Sequence, residues 1–336
     1  MMRLWQQPLH DLGGISGADE LASLAMATAW INSPPLTAAN ARGKVVLVQF
    51  WTFTCVNWLR TLPYVRAWSE KYRDAGLVVI GVHTPEFTFE HDLENVRRST
   101  AAMKLTYPVA VDNDYAIWRG FKNQYWPALY LLDGAGRVRH RQFGEGEYPA
   151  VERVIQQLLK EGGARDVDER QSVIECRGIV AAADWAHLKS GENYVGYERT
   201  EGFISPGAAA PGRPRAYTLP PLLQLNHWAL QGDWTVEKDR IRLDQPNGAI
   251  AYRFHGRDLH LVMGPPRNAS PVRYRVLLDG RPADRAHGGD IDERGNGVAT
   301  EQRLHQLIRQ PEPITDRLFQ IEFLDAGVEV FSFTFG

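Results

Sequence analysis

Residues 50–68, FWTFTCVNWLRTLPYVRAW, place a cysteine between a strand pattern and a helix pattern. The apolar run Lys44–Trp51 has the length and composition of a strand that is buried on both faces. From Val56 onward apolar residues recur at helical spacing, and Pro63 within that segment predicts a kink. Cys55 is therefore expected at the point where a buried strand ends and a helix begins.

The segments that follow continue this alternation of strand and helix patterns. The predicted strands are Leu77–Val82, Tyr107–Val111, Ala128–Asp133 and Val138–Phe143, and the predicted helices are Phe87–Met103, Asn113–Phe121 and Tyr148–Lys160. Such alternation predicts an α/β fold in which a central mixed sheet is flanked by helices.

The second half of the chain has a different pattern. Pro211–Pro221 is rich in proline, and from Trp234 onward short strand patterns are separated by turn pairs such as Asn247-Gly248 and Asp279-Gly280. This pattern predicts an all-β antiparallel sandwich. The expected domains are an α/β domain with an N-terminal extension at 1–164, a connecting region at 165–225 and a β-sandwich accessory domain at 226–336.

Composition limits the classes of function. The 336 residues include 38 Lys and Arg against 40 Asp and Glu, so the formal net charge is −2 and no general binding to nucleic acid is expected. No apolar run approaches the roughly 20 residues that span a bilayer. The N-terminus also lacks a secretory pattern, so a cytoplasmic location without membrane insertion is expected, with an extracytoplasmic location as the alternative if a leader was removed.

Cys55 is the position where chemistry is expected. Unpaired backbone N–H groups and the helix dipole favour an anion at a helix N-terminus. A thiol placed there can have its pKa lowered from about 8.5, which increases the fraction of nucleophilic thiolate. Two cysteines in 336 residues exclude a disulfide scaffold but leave room for a catalytic thiol.

The motifs WTFTCVNW, RTLPYVRAW, VVIGVHTPEF, YPVAVDNDYAIW and YWPALYLLD resemble the thioredoxin-like family, in particular the TlpA/AhpC-TSA (redoxin) group. Together with ENYVGYERTEGF, GAIAYRFHGRDLHLVM and GVEVFSFTFG, they are similar to the C-terminal region of DipZ-type cytochrome c biogenesis proteins. The resemblance implies a thioredoxin-like fold followed by a jelly roll like that of carbohydrate-binding modules. It also implies a cis-proline at Pro127 that faces Cys55.

The sequence departs from this family at one position of the active-site motif. The family has C-x-x-C, whereas Cys55-Val56-Asn57-Trp58 has tryptophan where the resolving cysteine would stand. The second thiol cannot then attack a mixed disulfide, so Cys55 is expected to act by monothiol exchange. One alternative is a one-Cys peroxidase, in which Cys55 is oxidised to a sulfenic acid. A non-catalytic binding or assembly scaffold is the other.

Each candidate site residue has an expected role. Cys55 is the nucleophile, Thr52 orients its thiolate, and Glu86, with His83 beside it, assists proton transfer. The predicted substrate groove consists of Asn57, Trp58, Trp126 and Pro127, although packing is the alternative role for Trp58. Cys176 is a candidate resolving thiol, but its apolar context favours a buried small side chain.

The expected partners are protein or low-molecular-weight thiols and disulfides, with peroxide as a further candidate. No cofactor and no metal site are expected, because the spacing of His83, His91 and Asp92 is too loose for zinc. Trp228, Trp234 and Tyr252 could stack on a carbohydrate in the second half, but aromatic residues in a sandwich more often form its core.

Overall fold

The computed structural model describes residues 18–336, and the chain divides into two compact units. The first unit ends at Val180 and the second begins at Ala181. This division lies inside residues 165–225, the segment predicted to connect two domains. The N-terminal extension before residue 18, predicted as part of the first domain, lies outside the described residues.

The helices of the described residues belong mainly to the first unit. The α-helices are α1 (Ala18–Ala22), α2 (Ala38–Ala41), α3 (Val56–Lys71), α4 (Leu93–Ala102), α5 (Ala116–Gly120) and α6 (Tyr148–Glu161). Short 3-10 helices occur at Ser23–Met26, Thr88–His91, Gly178–Val180, Trp185–His187 and Asp284–Ala286.

A mixed six-stranded sheet forms the centre of the first unit. Its strands are β1 (Ala29–Ile31), β2 (Val45–Trp51), β3 (Leu77–His83), β4 (Val109–Val111), β5 (Ala128–Leu132) and β6 (Val138–Phe143), in the order β1-β4-β3-β2-β5-β6. Strands β2, β3 and β4 are parallel, and the others pair antiparallel. Every residue of β2 is buried, as its continuous apolar run predicts.

The register of the parallel strands positions the site. Trp51 pairs with His83, and His83 pairs with Val111, so β2, β3 and β4 end side by side. The loops that follow these three strands therefore lie at the same edge of the sheet. Cys55 belongs to the first of these loops, and the start of β5, where Ala128 pairs with Phe50, lies at the same edge.

The second unit is built from antiparallel strands. They are β7 (Asn193–Tyr194), β8 (Pro214–Tyr217), β9 (Trp228–Val236), β10 (Ile241–Leu243), β11 (Gly248–Phe254), β12 (Asp258–Gly264), β13 (Val272–Leu278), β14 (Arg281–Pro282), β15 (Asn296–Ala299), β16 (Arg303–Arg309), β17 (Arg317–Phe323) and β18 (Glu329–Phe335). Strands β12 and β18 lie near one end of the hydrogen-bonded order and β13 and β17 near the other, yet all four contribute to one core. The sheet therefore folds back on itself into two layers, as the turn-rich sequence predicts.

The structure differs from the predicted elements where side chains or proline interrupt a pattern. The predicted helix Phe87–Met103 is divided, because Asp92 is extended and its carboxylate accepts a hydrogen bond from the backbone N–H of Glu94, which caps α4. Strand β4 begins only after Pro108, although Tyr107–Val111 was expected. Strand β1 has no counterpart among the strands predicted for the first unit, and in the second unit β7, β8, β9, β14, β15 and β16 were not predicted individually.

The aromatic residues considered for carbohydrate stacking lie in the core of the second unit. Trp228, Trp234 and Tyr252 are each at most 1% exposed and belong to its main apolar cluster. Burial leaves no open ring face for a sugar, so these side chains serve packing. Within residues 18–336, no helix is long and apolar enough to span a lipid bilayer.

Candidate functional site

Cys55 lies at the junction that the sequence predicts. It is the N-cap residue of α3, and its carbonyl accepts the first helical hydrogen bond, from the backbone N–H of Leu59 at 3.0 Å. Its own N–H donates to the carbonyl of Thr52 at 3.3 Å, which closes the turn after β2. The side chain is partly exposed, and its Sγ lies 3.8 Å from the carbonyl oxygen of Trp126. A half-buried thiol thus faces the chain before β5.

The Trp126-Pro127 peptide bond is cis, as the resemblance implies. The indole Nε1 of Trp126 donates to the carbonyl of Thr84 at 3.1 Å, and its ring lies 4.3 Å from that of Trp118. The carbonyl of Pro127 accepts from the N–H of Gly144 at 2.9 Å. This loop is therefore held on two sides and places its backbone against the thiol.

Trp58 occupies the place of a resolving cysteine, and its side chain points into the core. It is fully buried and stacks on Trp51, with ring centroids 4.3 Å apart. Asn57, by contrast, remains partly exposed beside Cys55. Of the predicted groove residues, Asn57 and Trp126 are therefore accessible, Pro127 contributes backbone, and Trp58 has the packing role.

A buried carboxyl that sequence reasoning missed lies behind the thiol loop. Glu90 is fully buried, and its Oε1 accepts a hydrogen bond from the Thr54 hydroxyl at 2.6 Å. Its Oε2 accepts from the backbone N–H groups of Glu86 at 2.6 Å and of Phe87 at 2.9 Å. Burial raises the pKa of this carboxyl, although the hydroxyls of Thr52 and Thr54 favour its ionised form.

The predicted roles of Thr52 and Glu86 acquire a structural context here. Thr52 is fully buried in the turn before Cys55, beside the Glu90 carboxyl. Glu86 is partly exposed and binds Glu90 through its backbone N–H. Both residues thus lie within the loops that surround the thiol, and their direct roles toward Cys55 stay predictions.

His83 is held as a neutral side chain. It is fully buried, stacks on Phe53 with centroids 5.6 Å apart and meets the edge of Trp51 at 4.9 Å. Burial lowers the pKa of His83 to about 3. At neutral pH this imidazole is therefore uncharged and enclosed by aromatic rings, which fits packing better than proton exchange with a substrate.

Asp112 is a second buried carboxyl at this edge of the sheet. It accepts hydrogen bonds from the N–H groups of Ile117 and Trp118 at the start of α5, at 2.9 and 2.8 Å, and from the Thr84 hydroxyl at 3.2 Å. Trp118 in turn contacts Trp126. The sequence analysis did not single out Asp112, but an aspartate directly after an apolar strand pattern is a signal that could have identified this capping residue.

Cys176, the predicted resolving thiol, contacts α3 at a point further along the helix than Cys55. The Cys176 thiol hydrogen-bonds the hydroxyl of Tyr64, and burial raises the pKa of this thiol. Tyr64 is nine residues after Cys55, a rise of about 13 Å along a helix. The two cysteines form no disulfide with each other. Upstream, Ser172 donates to the buried carboxylate of Glu152 from its N–H and its hydroxyl, so the segment before Cys176 is anchored.

One buried ion pair supports the start of α3. The guanidinium of Arg60 lies 2.9 Å from the Glu145 carboxylate, and both side chains are almost completely buried. Burial raises the pKa of Glu145, whereas Arg60 opposes that rise. The pair joins the thiol helix to the loop before α6, next to Gly144, which binds the cis-proline loop.

Among the described residues there is no cluster of three or more His, Cys, Asp and Glu side chains arranged to hold a metal ion.

Comparisons with known proteins agree with this architecture. Residues 32–158 match the Redoxin family model, and residues 190–336 match the model described as thioredoxin like C-terminal domain. Protein DipZ of Mycobacterium tuberculosis is 34% identical over 329 residues, which is 95% of this chain and 44% of that protein. The chain therefore spans less than half the length of these curated relatives.

Smaller relatives cover the first unit alone. Thiol-disulfide oxidoreductase YkuV of Bacillus subtilis is 31% identical over 133 residues, which is 40% of this chain and 89% of that protein. A solution structure of a thioredoxin-like protein in the oxidized form shares 30% identity and covers 44% of this chain and 99% of that one, with a TM-score of 0.40.

The fold of the first unit, with a cysteine at the start of α3 opposite a cis-proline, defines a thiol protein of thioredoxin-like type. Together with the matches to Redoxin and YkuV, this places the chain in the thioredoxin-like redoxin family.

Proposed function

We propose that this protein is a thiol-disulfide oxidoreductase that works through one cysteine, Cys55. The observation that carries the proposal is that Cys55 and Trp58 stand at the two positions where a C-x-x-C motif has its cysteines. A partly exposed thiol begins α3, and a buried indole fills the position three residues on. Relatives named as thiol-disulfide oxidoreductases, YkuV and ResA, support the reaction class.

The chemistry is a two-step exchange with an external thiol. The Cys55 thiolate attacks one sulfur of a substrate disulfide, a new S–S bond forms, the old one breaks, and the departing sulfur leaves as a thiolate that takes a proton from water. An external thiol such as glutathione then attacks the substrate sulfur of the mixed disulfide as its thiolate; a new S–S bond forms between these two sulfurs, and Cys55 leaves as a thiolate. No intramolecular disulfide with residue 58 is needed at any step.

The surroundings of Cys55 are suited to a disulfide substrate. The Trp126 carbonyl lies 3.8 Å from the sulfur, Asn57 is partly exposed two residues along the chain, and the helix N-terminus favours the anionic thiolate. Protein or low-molecular-weight disulfides present the required sulfur without a cofactor.

Intact-mass measurement after brief exposure to glutathione disulfide tests this function. We expect a gain of one glutathionyl group that Cys176→Ser retains and Cys55→Ser loses. Parallel exposure to hydrogen peroxide separates the alternatives, since a faster Cys55-dependent gain of one oxygen, reversed by thiol, would replace exchange with peroxidase chemistry. A folded protein that forms neither adduct would contradict thiol chemistry and favour a binding or assembly role.

A further inference from the structure

Glu90 is a buried acid that the exchange reaction above does not use. It lies in the 3-10 helix Thr88–His91, between the end of β3 and the start of α4, and its side chain is fully buried. No residue that the structure describes forms an ion pair with it. Burying a carboxyl without a cation is costly, so its hydrogen bonds must supply the stabilisation of the ionised form.

The hydrogen bonds of this carboxyl connect two loops. One oxygen binds the hydroxyl of Thr54, and the other binds two backbone N–H groups of the loop after β3. Thr54 is the residue directly before Cys55, and it is itself buried. The carboxyl therefore holds the turn that presents the thiol.

We propose that Glu90 is a positioning residue for Cys55, whose buried carboxyl clamps the turn Thr52–Cys55 to the loop after β3 and whose charge opposes that of the thiolate. This inference rests on the proposed function, because it assumes that Cys55 is the reacting thiol. The clamp keeps the sulfur at the start of α3, where the helix favours its ionisation. A negative charge on Glu90 opposes the ionisation of Cys55.

The electrostatic effect follows from a buried carboxyl close in the fold to a partly exposed thiol. A unit charge about 10 Å away, at an effective dielectric constant near 20, shifts the pKa of a neighbouring group by roughly one unit. The two groups then titrate as a coupled pair. Other titratable groups lie on the elements around the carboxyl: Glu86 and His91 on its own loop, His83 at the end of β3, and Asp112 and Tyr115 before α5, of which Tyr115 interacts electrostatically with Glu90.

The test measures the rate of Cys55 alkylation by iodoacetamide between pH 5 and pH 10. The full chain with Cys176→Ser serves as the background, so that one thiol remains. Glu90→Gln removes the charge but keeps the size of the side chain. Thr54→Val removes only the hydroxyl, and Thr100→Val is its matched control, because Thr100 is equally buried on α4 and its hydroxyl has no hydrogen-bond partner.

We expect Glu90→Gln to lower the midpoint of the pH–rate curve by roughly one unit. Thr54→Val should produce a smaller shift in the same direction, because the carboxyl loses a donor that favours its ionised form, while loosening of the turn offsets part of this effect. Thr100→Val should leave the curve unchanged. If Glu90→Gln does not fold, Thr54→Val decides the question.

Two outcomes separate this inference from the proposed function. A background protein that reacts normally, with folded Glu90 and Thr54 variants that keep its midpoint, would overturn the role of Glu90 alone. A background protein whose Cys55 alkylates no faster than an unfolded thiol would overturn the proposed function, and the inference with it.

Discussion

At the scale of single residues, Trp58 separates this protein from dithiol members of its family. The sequence shows that the second thiol is absent, and the structure shows what the replacement does. The indole fills core space against Trp51 instead of lining a surface beside Cys55. The first turn of α3 therefore carries no second thiol, and the packed indole of Trp58 fills the core at that position.

Replacement of Trp58 by cysteine should restore a dithiol motif at a cost in stability. Deleting a buried indole leaves a cavity, and comparable substitutions cost about 3–5 kcal/mol of unfolding free energy. We expect the reduced variant to lose about 3 kcal/mol in denaturant titration and to form a disulfide with Cys55 under oxidant. The control Trp185→Cys removes an exposed indole and should change stability little. An unaltered unfolding midpoint for Trp58→Cys would contradict the core role.

His83 should make folding sensitive to mild acid. Its pKa of about 3 in the folded protein lies below the unfolded value of about 6.5, so the unfolded chain binds more protons between these values. The contribution of neutral His83 to the free energy of unfolding is fully present above about pH 6.5 and decreases as the pH drops toward 3. At pH 5 the loss is about 2 kcal/mol.

Denaturant titrations at pH 8 and pH 5 measure this contribution. The variant His83→Phe keeps an aromatic ring beside Phe53 and Trp51 but cannot bind a proton. We expect it to lose less stability than the natural protein over this interval, by about 2 kcal/mol. Equal losses in the two proteins would show that His83 is protonated in the folded state.

At the scale of elements, the site is formed by loops that the parallel strands bring together. The loops after β2, β3 and β4 are connected by Thr54 with Glu90 and by Thr84 with Asp112. The helix α3 is connected to the loop before α6 by Arg60 and Glu145. Hydrogen bonds between elements therefore add to those of the turn and helix of Cys55 in setting the position of the thiol.

Breaking the buried ion pair should loosen this arrangement. Arg60→Met leaves the Glu145 carboxylate buried without its cation, which typically costs about 3–5 kcal/mol. Because the pKa of Glu145 is already raised by burial, and rises further without Arg60, the loss should be largest near neutral pH and smaller as acid protonates the carboxyl.

Denaturant titration at pH 7 and pH 5 checks both parts of this prediction. Arg97→Met is a suitable control, since Arg97 lies 3.8 Å from Glu94 in an exposed pair and should contribute little. A loss for Arg60→Met no greater than that of the control would mean that the pair does not support the fold.

At the scale of the whole molecule, each unit has its own sheet and its own core. The apolar cluster around Phe50, Ile80 and Tyr130 belongs to the first unit, whereas the cluster around Trp234 and Phe333 belongs to the second. Domains with separate cores are usually able to fold alone.

We expect a fragment ending at Val180 to keep the thiol chemistry. It contains the sheet β1–β6, Cys55 and the anchored segment that carries Cys176. Its rate of glutathionylation should lie within about twofold of the full chain, and residues 181–336 should unfold cooperatively by themselves. A first-unit fragment that lacks a cooperative unfolding transition would show that the units depend on each other for stability.

Local sequence was enough to predict the strand, the cysteine and the helix that follows it, because periodicity and capping act over a few residues. The turn-rich second half was predictable from motifs of similar length, whereas the cis-proline before β5 was expected from the resemblance of YWPALYLLD to the thioredoxin-like family. Strand β16 was not, since its polar residues are buried by partners distant in sequence.

The tertiary structure alone decided how the thiol is surrounded. The contacts of Thr84 with Asp112, Thr54 with Glu90 and Arg60 with Glu145 join residues 28, 36 and 85 positions apart. No local pattern encodes such pairs, because each depends on which loops the sheet brings to one edge. Whether Trp58 faced a groove or the core was likewise set by the space beside Trp51, which exists only once β2 and α3 have packed together.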